Sequence, residues 1–269
     1  MGDTAAAADE VIFTTTGDGG FEPTEHAAGP WDPGALHGGA AAALITRAFE
    51  RSQPDDGLAP ARLEFEFLRP IPFAKLAIEI AAVRPGRRVR ELRAELSAGG
   101  QTICRASTLR VQAVPAGVPS ETRATSERLP GPEQGTIMRF ALDDNPGSSF
   151  ATTGMEMSWL DESWRPGPGR VWMRLRRSLV PGERASPLVR VAAVADFANG
   201  VSAELPFDRY LYINADLAIH LWRLPQGEWL GLDSRTLLYA NGIGTTESVV
   251  HDLAGAVGRA FQTLVVQPR

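Results

Sequence analysis

The chain has 269 residues and a formal net charge of −5, and 43% of its residues are hydrophobic while 22% are charged. This composition is typical of a soluble globular protein, and it lacks the excess of positive charge expected of a protein that binds nucleic acid. Apolar runs are shorter than the ~18 residues that would suggest a membrane span, and the acidic N-terminus lacks the apolar core of a signal peptide. We therefore expect a cytoplasmic protein that binds neither nucleic acid nor membrane and has one large domain or two ordinary ones.

The first half of the sequence predicts one buried helix among β-strands. A short strand is expected at 11–16, followed by a Gly-rich turn at 17–20. Residues 37–50 (HGGAAAALITRAFE) form a helix that is apolar on nearly every side, which indicates burial on most of its surface. Four strands joined by short turns follow, and such turns favour antiparallel pairing. The expected strands are 61–68, 74–84, 88–97 and 102–112.

A segment rich in Pro, Gly, Ser and charged residues, 114–136, predicts a linker. It separates an N-terminal unit, 1–113, from a C-terminal unit, 137–269. The second unit contains a helix over PLVRVAAVADFAN, which Ser186 can cap at its start. Strands are expected on both sides of this helix. They are 155–160, 170–179, 210–222, 229–239, 245–252 and 256–267.

The two halves share one layout at a constant offset. Arg69 and Arg223 are separated by 223 − 69 = 154 positions, and Arg105 and Arg259 by 259 − 105 = 154. Two landmarks at one offset predict two copies of one small fold. Each copy has strands, one long buried helix and then antiparallel strands, and only the inner face of a sheet can cover so apolar a helix. The predicted class is α+β, a tandem (double) hot-dog fold with two antiparallel sheets that each wrap a long central helix and can join edge to edge.

Several catalytic signatures are missing from the sequence. It has no Gly-x-Ser-x-Gly nucleophile elbow, no GxxxxGK[ST] loop and no GxGxxG after a strand. Its four histidines do not have metal-ligand spacing, and it contains one cysteine. The sequence therefore predicts neither a metal ion nor a cofactor.

His37, Gly38 and Gly39 open the first helix. Free N–H groups at the start of a helix, together with the positive end of its dipole, suit a carbonyl or oxyanion, and glycines let a ligand approach the backbone. We expect these three residues to bind substrate. The alternative is that the glycines only allow a tight entry into the helix, and the pattern alone favours neither interpretation.

A polar set occurs in the second copy only. It consists of Asp216, Thr236 and Gln262. Strand alternation alone favours a solvated outer face for Asp216, but the difference between the copies suggests one complete site assembled from both. The first copy has Arg62, Ala82 and Thr108 at the corresponding positions.

Two pairs of segments resemble the double hot-dog acyl-CoA thioesterases of the thioesterase II family. INADLAIHLWRLPQGEWLGLDSRT and GRAFQTLVVQPR are similar to its C-terminal half, and HGGAAAALITRAFE and EFLRPIPF to its N-terminal unit. The resemblance implies hydrolysis of an acyl-CoA by a water molecule that an Asp, a Thr or Ser and a Gln hold. By position these roles fall on Asp216, Thr236 and Gln262, with Ser234 as the alternative hydroxyl.

Two other functions stay open. A hot-dog enoyl-CoA hydratase or dehydratase needs a histidine that works with an acid, and His37 with Asp216 could serve. A non-catalytic module that binds acyl thioesters would need the pocket but not Asp216. Asp196 is expected to be a polar helix-end residue or to support the site, and Asn214 to lie behind it. A homodimer of the whole chain is also left open.

Overall fold

The computed structural model describes residues 11–30, 32, 34–52, 57–113, 128–138, 147–162 and 166–269. In the first half one long helix, α1 (Gly38–Ser52), lies among six strands. The strands are β1 (Phe13–Thr15), β2 (Phe21–Pro23), β3 (Leu58–Phe67), β4 (Leu76–Pro85), β5 (Val89–Ala98) and β6 (Gln101–Gln112). The predicted buried helix and the four strands after it are confirmed, with end positions that differ by at most three residues.

In the described residues of the second half, the α-helices are the short α2 (Pro187–Ala195) and α3 (Ala198–Val201). Ser186 caps α2 as predicted, because its hydroxyl accepts a hydrogen bond from Val189 N–H. The single long helix expected here is interrupted after Ala195. The strands are β7 (Thr136–Ile137), β8 (Met155–Trp159), β9 (Gly169–Leu175), β10 (Tyr210–Asn214), β11 (Asp216–Leu221), β12 (Leu230–Leu238), β13 (Ile243–Asp252) and β14 (Gly255–Pro268).

All strands join one antiparallel sheet, in the order β1-β2-β4-β5-β6-β3-β11-β14-β13-β12-β9-β8-β7, with β10 also paired to β14. The halves meet where β3 pairs with β11, with Phe65 opposite Leu217 and Leu63 opposite Ile219. Two sheets that can join edge to edge were predicted, and in the structure they form one sheet, because the pairing of β3 with β11 satisfies the backbone groups of both edges.

The repeat is visible in equivalent backbone hydrogen bonds. Leu68 N–H donates to Ile103 O at 3.0 Å, and Trp222 N–H donates to Val257 O at 3.1 Å. Donor and acceptor in the second bond each lie 154 positions after those in the first. The predicted offset between the copies therefore holds at the ends of β3 and β11.

Helices α1 and α2 pack against each other in antiparallel directions. Near the start of α1, a Cβ atom on Gly39 would lie 2.5 Å from Ala193 O of α2. At the other end, the Ser186 hydroxyl donates to Glu50 Oε2 at 2.6 Å. Small residues allow this approach, and alanines 40–43 of α1 are buried. The start of α1 is thereby fixed beside the end of α2.

Of the predicted linker, residues 114–127 lie outside the described residues. Its last part packs on the second half, because Trp172 Nε1 donates to Pro130 O at 2.6 Å and the Ser158 hydroxyl donates to Pro132 O at 2.6 Å. Within the described ranges, none of the helices combines the length and apolar character that crossing a bilayer requires.

Candidate active site

The break between α2 and α3 carries a buried acidic residue, Asp196. Gln262 of β14 holds the backbone on both sides of this break: its Nε2 donates to Asp196 O at 3.1 Å, and its Oε1 accepts from Asn199 N–H at 3.1 Å. One side-chain amide thus satisfies a carbonyl and an N–H group that a continuous helix would otherwise pair. The position of Asp196 is therefore set by a strand as well as by its own helix.

The Asp196 carboxyl group is held by side chains from two other elements. Asn214 Nδ2, at the end of β10, donates to Oδ1 at 2.7 Å, and His37 Nδ1, just before α1, lies 3.0 Å from Oδ2. Only 5% of Asp196 is exposed. A carboxyl group buried among polar partners is one of the arrangements that mark functional sites.

The N-terminus of α1 faces this carboxyl group at close range. A Cβ atom on Gly38 would lie 2.8 Å from Asp196 Oδ2, so a larger residue at this position would displace the carboxyl group. Within the described part of the chain, Gly38 N–H has no hydrogen-bond acceptor. The positive end of the α1 dipole therefore meets Asp196 beside a free backbone donor.

His37 sits between the helix start and the carboxyl group. Its Nδ1 lies 3.0 Å from Asp196 Oδ2 and also accepts a hydrogen bond from Gly39 N–H at 3.0 Å. Nδ1 donates to the carboxylate when it carries a hydrogen and accepts from Gly39 when it does not, so its two contacts alternate with the position of one proton. The ring is held by Phe197, with ring centroids 4.2 Å apart and an interplanar angle of 29°.

A cavity of about 470 Å³ opens onto Asp196, His37 and Gly38. Both halves contribute to it, because the described residues of its walls are 29–30, 32, 35–38 and 67–71 of the first half and 196–197, 199–200 and 211–214 of the second. Most of the lining is apolar. It includes Leu36, Phe67, Ile71, Phe197 and Leu211. A mostly apolar cavity with a few convergent polar groups is the usual form of a small-molecule site.

Asp216 does not reach this cavity. It is the first residue of β11 and points to the outer face of the sheet, opposite to the buried Leu217 and paired with the exposed Glu66. Its carboxyl oxygens accept from Thr263 N–H at 2.6 Å and from the Thr263 hydroxyl at 3.2 Å. Gln262 is buried on the inner face, so the sheet separates it from Asp216.

Thr236 lies on the same inner face as Gln262, with Thr246 between them on β13. Its hydroxyl is 2.8 Å from those of Ser202 and Thr246. Ser234 is also buried and bonds to a serine of β13. The described residues that line the cavity include neither of the two predicted hydroxyl residues.

Of the residues predicted to act, His37, Gly38 and Gly39 lie at or next to the cavity, and Gln262 lies directly behind it. Sequence reasoning gave Asp196 only a helix-end or supporting role, whereas the structure places its carboxyl group at the cavity. A signal existed, because Asp196 is the one acidic residue in the apolar stretch PLVRVAAVADFAN, and carboxyl groups are seldom buried without partners. Within the described residues, no three His, Cys, Asp or Glu side chains are grouped to hold a metal ion.

Comparison with known families decides the relationship. A model of the acyl-CoA thioesterase N-terminal domain matches residues 27–125, and a model of the acyl-CoA thioesterase C-terminal domain matches residues 121–266. The chain belongs to the acyl-CoA thioesterase family. The resemblance inferred from the sequence is confirmed, and this member of the family is a thioester hydrolase.

Solved structures show that this thioesterase has a hot-dog fold. A candidate thioesterase II from Thermobifida fusca YX superposes with a TM-score of 0.75 at 17% identity, covering 99% of both chains. A hot-dog protein of unknown function from Alicyclobacillus acidocaldarius gives 0.71 at 18% identity, covering 99% of both chains. An acyl-CoA thioesterase II from Mycobacterium marinum gives 0.65 at 13% identity, covering 98% of both. The comparison with curated proteins found no match.

Proposed function

We propose that the protein hydrolyses an acyl-CoA to a free acid and CoA with a water molecule activated by Asp196. One observation carries this proposal: the Asp196 carboxyl group is buried at a cavity built from both halves, between Asn214, His37 and the start of α1. The proposal replaces Asp216 with Asp196 in the catalytic role, because Asp216 faces away from the cavity.

In the proposed reaction, the thioester carbonyl lies at the N-terminus of α1 and the water molecule lies against Asp196. The water oxygen forms a bond to the carbonyl carbon while its proton passes to the Asp196 carboxylate. Gly38 N–H donates to the oxyanion that develops. The C–S bond then breaks, and the thiolate of CoA takes up the proton. No covalent enzyme intermediate is needed, since a thiolate is a good leaving group.

The two effects together account for a rate enhancement of about 10⁴–10⁷-fold. A positioned general base contributes about 10²–10⁴-fold, and one backbone oxyanion donor about 10²–10³-fold. Gln262 acts as a positioning residue, because both polar ends of its amide are occupied by the backbone beside Asp196. Asn214 orients the carboxyl group through Oδ1 and leaves Oδ2 to face His37 and the cavity.

Hydration of an enoyl thioester is the second candidate function. The 3.0 Å contact between His37 Nδ1 and Asp196 Oδ2 supplies the histidine and acid that such a reaction needs, with Asp196 in the place that the sequence suggested for Asp216. Family membership favours hydrolysis over this alternative. A non-catalytic binding module would have no use for a buried carboxyl group in contact with the cavity.

The test is to incubate the protein with a panel of saturated and enoyl acyl-CoAs, with a thiol reagent and with enoyl absorbance followed in parallel. Thiol release by the wild type that is lost in Asp196→Asn and kept in Asp216→Asn supports the proposal. Loss of enoyl absorbance without thiol release would favour the hydratase, and binding without turnover would favour the module.

The finer architecture also belongs to this proposal. We propose two hot-dog units, 1–113 and 137–269, each of which curves its part of the sheet around its own helix. Contacts of α1 with β4 and β5, and of α2 with β9, β12 and β13, support this arrangement. A cytoplasmic location, homodimerisation and the absence of a cofactor stay predictions.

A further inference from the structure

The two halves treat one repeated arginine in different ways. In the second half, Arg223 closes an ion pair with Asp252, whose side chain has 0% exposure. The contacts are Nη1 to Oδ2 at 2.5 Å and Nη2 to Oδ1 at 2.7 Å, and Nη2 also donates to Gly255 O at 2.9 Å. Arg223 is therefore fully engaged within its own unit.

Arg69 occupies the equivalent position of the first half, directly after the residue whose backbone hydrogen bond matches between the copies. The position that corresponds to Asp252 is 252 − 154 = 98, which is Ala98. The first half thus lacks the acid that holds this arginine. Arg69 is exposed, and its guanidinium has no hydrogen bond or ion pair with any other residue in the described part of the chain.

The side chain of Arg69 lies at the cavity that contains Asp196. Arg69 lines this cavity, and among the described lining residues it is the one arginine or lysine. Besides Asp196, the acidic residue of the described lining is Asp32, whose Oδ1 accepts from Gly34 N–H at 2.7 Å. The opening of the cavity therefore carries a permanently charged guanidinium that is not paired with any described residue, next to a mostly apolar interior.

The backbone that carries Arg69 is held on both sides. Leu68 N–H donates to Ile103 O at 3.0 Å, and Ile71 O accepts from Leu36 N–H at 2.8 Å. Pro70 fixes its own φ angle, and Ile71 is buried with 4% exposure. A charged group on a segment of this kind is positioned for a ligand at a low entropic cost.

We propose that Arg69 binds the phosphate of the phosphopantetheine arm that presents the thioester, and so sets the preference for a phosphorylated carrier. This inference rests on the proposed thioesterase function of the same cavity. The planar guanidinium fork matches two phosphate oxygens, which is the geometry of charge-assisted bidentate recognition. The apolar interior takes the acyl group, while the phosphate remains at the exposed mouth.

The experiment compares the wild type with Arg69→Ala on one acyl group carried by three thiols: CoA, 4′-phosphopantetheine and pantetheine. For the two phosphorylated thiols, KM is expected to rise about five- to tenfold while kcat is unchanged, since one charge-assisted contact is lost. For acyl-pantetheine, KM is expected to stay the same. The KM of the wild type for acyl-CoA should rise with salt, and that of the variant should rise less.

Arg105→Ala is the matched control, because Arg105 is exposed and is engaged with Glu95, with Nε 3.4 Å from Oε1. An acyl-carrier protein loaded with the same acyl group is run in parallel. A rise in KM with either carrier supports the proposal and identifies the source of the phosphate. Equal changes with all three small thiols, a change with acyl-CoA but not with acyl-4′-phosphopantetheine, or no change at all would overturn it.

The failure of this inference can be told apart from failure of the proposed function. If the wild type releases no thiol from any substrate, hydrolysis is refuted, and titration of wild type and Arg69→Ala with CoA still tests the phosphate contact. Equal affinity of the two proteins for CoA would overturn the role of Arg69.

Discussion

Replacement of Asp196 by Asn removes a charge and a proton acceptor while it keeps the shape of the site. The backbone carbonyl that Gln262 holds is unchanged, and the new amide oxygen can accept from Asn214 as Oδ1 does at 2.7 Å. The amide NH₂ can donate to His37 Nδ1, which lies 3.0 Å from Oδ2. The contact with Asn214 is retained, and Nδ1 of His37 shares its lone pair between Gly39 N–H and the new amide, so we expect the free energy of unfolding to fall by only about 1 kcal/mol.

The same substitution is expected to lower kcat by about 10²–10⁴-fold, which is the contribution of a general base, with little change in KM. Steady-state thiol release measures kcat, and urea unfolding measures stability. Asp216→Asn is the matched control, because Asp216 contacts Thr263 on the outer face, and we expect wild-type turnover from it. Wild-type kcat in Asp196→Asn, or an equal loss in both variants, would refute the reasoning.

Three further variants test the frame of the site. Gly39→Ala places a Cβ atom 2.5 Å from Ala193 O, so urea unfolding should show a loss of about 1–3 kcal/mol, whereas Gly17→Ala, which meets nothing within 4 Å, should not. Gln262→Ala leaves backbone groups unpaired, so stability should fall by about 1–3 kcal/mol, and kcat should fall as well. An unchanged kcat would contradict the positioning role of Gln262. Asp252→Asn breaks a buried ion pair and should lower stability at pH 7 by about 3 kcal/mol in urea unfolding. Burial alone would raise the pKa of Asp252, but its hydrogen bonds outweigh burial and lower the pKa. The wild type should therefore be more stable than the variant above about pH 4, and this difference in stability should disappear as the pH falls through the folded-state pKa. An advantage that persists in acid would contradict that assignment.

Much of the fold could be predicted because its signals are local or periodic. The apolar helix of the first half, the alternating strands and the repeat offset of 154 all follow from spacing along the chain. The matching bonds from Leu68 and from Trp222 confirm that the offset reflects equivalent backbone positions. The sequence suggested that the two sheets can join edge to edge, but not that β3 pairs with β11, because this long-range contact is encoded by no local pattern.

The site was harder to predict, because its residues come together only in three dimensions. Strand alternation favoured an outward Asp216, and the structure agrees with that alternation. Asp196 looked like an ordinary helix-end residue, since its partners His37 and Asn214 are remote in sequence. The close approach of α1 and α2 at Gly39 brings these groups together, and it depends on packing between the two halves.

The central claim is that the thioester lies between the start of α1 and the Asp196 carboxyl group. A crystal structure of the Asp196→Asn variant with a bound acyl-CoA tests this most directly. The account predicts the thioester carbonyl within hydrogen-bond distance of Gly38 N–H, with the side chain of residue 196 facing the carbonyl carbon. A thioester bound outside this cavity, or on the outer face beside Asp216, would contradict it.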